Sequence, residues 1–134
     1  MSDPELSKIY DEKMKRMAMQ ANSGRGRIVN LTTSDFDSYM KGGKTVFVDF
    51  WAVWCGPCRT MEPVVERLAA KYGDRVVFGK LNVDEEPSLA TRYDVQSIPT
   101  FMVFRDGRPV DAAIGAVGET ALDRLIQKSV PHRA

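Results

Sequence analysis

The chain has 134 residues, the length of one ordinary domain, and can bury a core without disulfide support. It is 43% hydrophobic and 28% charged with a formal charge of +1, so its charge gives no case for a nucleic-acid partner or an anionic membrane. No apolar run approaches the ~20 residues that cross a bilayer, and Met1-Ser2-Asp3-Pro4-Glu5-Leu6 has acids where an export signal carries bases, so neither a membrane span nor export is expected.

The first 27 residues differ in texture from the rest. Six bases (Lys8, Lys13, Lys15, Arg16, Arg25, Arg27) stand against four acids (Asp3, Glu5, Asp11, Glu12), a balance of +2 that leaves −1 for the remainder. Pro4 suits a first helical position, and Ser2 and Glu5 are spaced as a capping box. Leu6, Ile9, Tyr10, Met14 and Met17 follow at helical spacing, which predicts an amphipathic helix to about Gln20. Asn22-Ser23-Gly24-Arg25-Gly26 reads as a flexible linker. Residues 1–26 are therefore expected to be an extension, and 27–134 a single domain.

From Arg27 onward, strand-like and helix-like segments alternate. Ile28-Val29-Asn30-Leu31 reads as a short strand. A helix is expected next, capped by Thr33 or Ser34, with Phe36, Tyr39 and Met40 as its apolar stripe and Gly42-Gly43 as its end. Thr45 to Trp51 is almost continuously apolar and aromatic, as a strand buried on both faces must be. A helix from about Cys58 to Tyr72 follows, with Pro63 expected to kink it. Arg75 to Val83 is another strand, and a helix through Ser88 to Tyr93 follows Pro87. Thr100–Phe104 and Val110–Ile114 flank Asp106-Gly107, a hairpin signal, and Gly118-Glu119 opens a last helix carrying Leu122, Leu125 and Ile126. The order β-α-β-α-β-α-β-β-α predicts an α/β fold, a mixed sheet with helices on both faces.

The only two cysteines are Cys55 and Cys58, placed where the buried strand hands over to a helix. One Cys-x-x-Cys pair points to redox chemistry or to half a metal site. Two sulfurs three residues apart on a first helical turn can reach disulfide geometry. At the helix N-terminus, unpaired amides favour an anion, so Cys55 is expected to be the exposed, more acidic thiol and the attacking one, with Cys58 more buried and resolving. Structural zinc wants four ligands; the chain offers two thiols and one histidine, His132, so no metal is expected. Asp49 interrupts the apolar strand, where an acid is costly unless paired or neutral. It is either an exposed strand position or a buried acid of raised pKa that could exchange protons with Cys58. Lys80, on the neighbouring strand, could modulate it or be an ordinary strand lysine.

From about Arg27 to Val130 the chain resembles the thioredoxin family. The resemblance rests on Val48-Asp49-Phe50-Trp51-Ala52 and Trp54-Cys55-Gly56-Pro57-Cys58, followed by Pro63 and Lys80-Leu81-Asn82-Val83-Asp84. It continues in Ile98-Pro99-Thr100, Phe104-Arg105-Asp106-Gly107 and Gly115-Ala116. It implies the thioredoxin-like fold and a protein-disulfide reductase cycling Cys55 and Cys58 between dithiol and disulfide, with Asp49 as the proton-exchanging acid. It also implies a cis bond at Ile98-Pro99 beside the cysteines. Trp54, Gly56, Pro57, Ile98, Pro99, Gly115 and Ala116 would then form the docking surface for disulfide-bearing clients, with Trp51 packing beneath the site. Ser23-Gly24-Arg25-Gly26 precedes the first strand and is no dinucleotide fingerprint, so no cofactor is expected. Electrons would come from a thioredoxin reductase or a ferredoxin-dependent one. Gly56-Pro57 resembles the reducing members, and a cytoplasmic setting is expected. Two other readings are a specialised relative serving one client system or an exported compartment, and a binding or chaperone module whose thiols matter less than its fold.

Overall fold

The computed structural model describes residues 27–130. The expected helix to Gln20, the linker after it and His132 lie outside these residues. Within them the chain runs β1 (Ile28–Asn30), α1 (Phe36–Met40), β2 (Thr45–Trp51), α2 (Gly56–Tyr72), a 3₁₀ turn (Gly73–Arg75) and β3 (Val76–Asn82). It continues with α3 (Pro87–Arg92), β4 (Thr100–Arg105), β5 (Arg108–Ile114) and α4 (Glu119–Gln127). The five strands form one sheet in the order β1-β3-β2-β4-β5. β1, β3 and β2 run parallel, while β4 and β5 are antiparallel to their neighbours.

β2 is the centre of the sheet, and its unbroken apolar run has the expected cause: it is covered on both faces. Phe47 enters one core with Phe78, Phe101 and Val103, beneath Leu68 of α2 and Leu122 and Ile126 of α4. Val46, Val48 and Phe50 enter the other with Phe36 and Met40 of α1, Leu81, Leu89 of α3 and Phe104. Each buried phenylalanine or leucine of these layers contributes about 2 kcal/mol by leaving water. At Gly79 an added Cβ would fall 2.7 Å from Leu31 Cγ, so only glycine lets the segment after β1 close over β3.

Several boundaries differ from expectation for local reasons. α1 is capped at Asp35 rather than at Thr33 or Ser34. Asp35 Oδ1 accepts the Thr32 N–H at 2.8 Å, so these residues form a turn ahead of the helix. α2 starts at Gly56, two residues before Cys58, because Cys55 itself supplies the cap, and it continues through Pro63. The hairpin is tighter than expected: Asp106 and Gly107 both have positive φ, 52° and 78°, as a two-residue primed turn requires. Pairing therefore begins at Arg105 opposite Arg108, and β5 starts two residues before Val110. α4 is fastened to α2 where the Tyr72 hydroxyl and the Lys71 ammonium both meet the Asp123 carboxylate. Burial, then the hydrogen bond to Asp123, raises the Tyr72 pKa; desolvation works against it, yet the bonds from Lys71 and Tyr72 hold Asp123 below the usual carboxylate range.

Candidate active site

The site lies where β2 ends. The Cys55 N–H donates to the Ala52 carbonyl at 3.2 Å, folding the chain back after the strand. Arg59 Nη2 donates to the Val53 carbonyl at 2.5 Å, holding the same turn from α2. Cys55 keeps extended dihedrals and caps α2 with its sulfur, which accepts the Cys58 N–H at 3.2 Å. One turn on, Cys58 is bonded to it as a disulfide, with the Cα atoms 5.3 Å apart. Sequence spacing is borne out as bond geometry.

One sequence expectation needs correction. Cys55 is not the exposed partner of a buried Cys58: the two are 4% and 2% exposed. Both pack with Ala52 in a small cluster of their own, lined by Trp51, Val83 and Ile98, which shields the bridged sulfurs together. What distinguishes them is position, since only Cys55 stands at the helix N-terminus and receives a backbone N–H.

Asp49 is the buried acid rather than the exposed strand residue, at 2% exposure. Its Oδ1 has no hydrogen-bond partner. Loss of hydration drives its pKa up to about 7; Lys80 opposes the rise and Glu62 adds to it. Such a group exchanges protons near neutral pH. Lys80 is its Cα partner across β2 and β3. The Lys80 ammonium lies 3.7 Å from Glu62 Oε1 and 4.1 Å from the centre of the Trp51 ring. Trp51, expected beneath the site, is thus partly exposed at its rim.

Around the cysteines the surface is largely apolar. Trp54 is 69% exposed, and Gly56, Pro57 and Ala116 are exposed, with Ile98 and Gly115 half-buried. Ile98-Pro99 is cis. Pro99 is buried, and its carbonyl accepts the Gly115 N–H at 2.8 Å. This bond brings Gly115 and Ala116 beside the proline turn, while the backbone of Ile98 makes no hydrogen bond among the described residues. Sequence reasoning missed Val53, Ile114 and Val117, which are also exposed, and Asp84, which holds Trp54. Their apolar character was readable, but which face of a strand or turn they occupy was not. Among the described residues no group of three histidine, cysteine or acidic side chains could hold a metal ion.

Residues 27–128 match the family model described as thioredoxin. The chain is 48% identical to a thioredoxin of Staphylococcus aureus over 101 residues, covering 75% of this chain and 96% of that protein. Among solved structures it is similar to a mutant thioredoxin from Halobacterium salinarum NRC-1, with a TM-score of 0.76 at 33% identity over 84% of this chain and 98% of that one. It is also similar to a thioredoxin of Malassezia sympodialis, with a TM-score of 0.73 at 34% identity over 78% and 92%.

Proposed function

The chain belongs to the thioredoxin family and is a thiol–disulfide oxidoreductase, a protein-disulfide reductase, and on that premise we propose how its residues divide the reaction. The Cys55 thiolate attacks one sulfur of a client disulfide, forming a mixed disulfide and releasing the other client sulfur as a thiolate. Cys58, its proton passed to Asp49, then attacks Cys55 Sγ. The Cys55–Cys58 bond forms, the second client thiolate leaves, and two electrons have moved to the client. One observation carries this order: Cys55 caps α2 and its sulfur accepts the Cys58 N–H, where amides and the helix dipole favour a thiolate. The burial of the Asp49 carboxyl, whose Oδ1 has no hydrogen-bond partner, supports its role as proton acceptor, with Lys80 as its electrostatic neighbour.

Members of this family work between a reductase and disulfide-bearing clients. Here the electron donor is read as an external thioredoxin reductase or its equivalent. No nucleic-acid partner is assigned, in keeping with the near-zero charge. Among the described residues no helix is long and apolar enough to cross a membrane. A cytoplasmic setting fits the single Cys-x-x-Cys pair, the cysteine usage of a reducing compartment. Clients would lie on Trp54, Gly56, Pro57, Ile98, Gly115 and Ala116 above Pro99, pairing with the Ile98 backbone as a short added strand. Residues 27–134 would be the catalytic domain and 1–26 an accessory, in line with a family match that begins at 27.

The test is trapping. Cys58→Ser should accumulate mixed disulfides through Cys55, and Cys55→Ser should neither trap clients nor reduce insulin. If mass mapping of the reduced wild-type protein shows alkylation at Cys58 faster than at Cys55 near pH 7, the division of labour is wrong.

A further inference from the structure

Lys80 stands beside Asp49 in the β2–β3 register, and a lysine so placed would by itself favour the ionised carboxylate. Its ammonium is instead engaged elsewhere. It lies 3.7 Å from Glu62 Oε1 and over the Trp51 ring, while no ion pair within 4.0 Å joins it to Asp49 among the described residues. Glu62 is one turn beyond Cys58 on α2, so both project from the same side of that helix. We propose that Glu62 is a positioning residue: by pairing with Lys80 at the rim of the site it holds that positive charge off the buried Asp49 carboxyl, and so strengthens Asp49's hold on its proton. The inference rests on Asp49 being the group that takes the Cys58 proton.

The groups around Asp49 leave few other sources of such an effect. β3 brings Lys80, and α2 brings Cys58 and Glu62, with Cys55 at its cap. β4 places Phe101 opposite Asp49, and α4 turns Leu122 and Ile126 to that face of the sheet. The electrostatics agree in sign, since burial dominates, Lys80 lowers the proton affinity and Glu62 raises it. Glu62 is 42% exposed and Lys80 22%, and such rim pairs contribute little to stability. Removing Glu62 should therefore be nearly silent in an unfolding curve and visible in a titration.

The Asp49 carboxyl is followed by carbon-13 NMR across pH in the oxidised protein, where no turnover occurs. Four proteins are compared: wild type, Glu62→Gln, Lys80→Met and the double variant. Glu62→Gln should lower the Asp49 midpoint by about half a pH unit, and Lys80→Met should raise it. In the Lys80→Met background, removing Glu62 should have less than half its effect. An unmoved midpoint in Glu62→Gln overturns the proposal, and so does a shift of equal size with and without Lys80. The pH profile of mixed-disulfide resolution should move with the midpoint. A midpoint that moves without the profile supports Glu62's hold on Lys80 and sinks instead the proton role of Asp49.

Discussion

Trp54 and Asp84, thirty residues apart, are joined by a hydrogen bond in which the indole Nε1–H donates to Asp84 Oδ2 at 2.8 Å. The bond fixes the orientation of the most exposed large apolar ring beside the cysteines. Asp84 is held in turn, since its N–H donates to Asn82 Oδ1 at 2.9 Å, at the end of β3.

Asp84→Ala should therefore free the ring without unfolding the chain. An exposed hydrogen bond of this kind contributes about 0.5–1 kcal/mol, so kcat/KM for a protein disulfide should fall about threefold. Reduction of a small disulfide, which needs no docking surface, should change less. Insulin reduction against reduction of an aromatic disulfide reports the ratio, and equal losses on both would remove Trp54 from client docking.

Asp49→Asn should slow mixed-disulfide resolution and leave the oxidised protein at least as stable at pH 7. Because burial raises the folded pKa to about 7 from 3.8, the folded state binds the Asp49 proton more tightly than the unfolded state does. The stability this confers is full below about pH 4 and is lost as pH rises toward 7, a change of up to about 4 kcal/mol. The asparagine variant should lack that part of the slope. Urea unfolding at pH 4, 5.5 and 7 measures it, and a variant much weaker than wild type at pH 7 would make Asp49 an ionised structural partner.

Asp123→Ala should cost about 1 kcal/mol at neutral pH by releasing Tyr72 and Lys71 from α4. The Asp123 pKa lies below its ordinary value, so its contribution is present above about pH 4 and disappears as pH falls through the folded pKa. Wild type and variant should converge in thermal melts once the pH falls below the folded pKa of Asp123. A constant difference across pH would mean that packing, not charge, joins the two helices.

Deleting residues 1–25 should leave reduction of a generic disulfide substrate nearly unchanged, because the match to the thioredoxin family model runs from 27 to 128. Turnover and light scattering on the two proteins check this. Loss of folding or activity would make the extension part of the core, whereas a change confined to mass or client choice would assign it docking or self-association.

The sheet was legible because β2 is buried on both faces and announces it as an unbroken apolar run, and because Asp106-Gly107 admits one hairpin geometry. The cysteine pair was legible because three-residue spacing leaves little freedom. Relative exposure was not: Cys55 is sunk by Ala52, Val83 and Ile98, which come from three different segments. Glu62 and Asp84 were invisible for the same reason. Each matters through a partner, Lys80 or Trp54, that reaches it only when the sheet and α2 are assembled. Asp49 was ambiguous by strand alternation alone, and the helix laid over that face decides it.

The bridge between Cys55 and Cys58 closes a ring of only four residues. Tethering so short a stretch removes little freedom from the unfolded chain, about 2 kcal/mol in the loop-entropy account, against about 3 for a 15-residue loop. The two sulfurs also sit in a small cluster separate from the two large cores above and below the sheet. Making or breaking the bond therefore edits one helical turn and leaves the layers that hold the molecule together untouched. A carrier that must pass through both oxidation states at every turnover is thereby spared a cycle of unfolding and refolding.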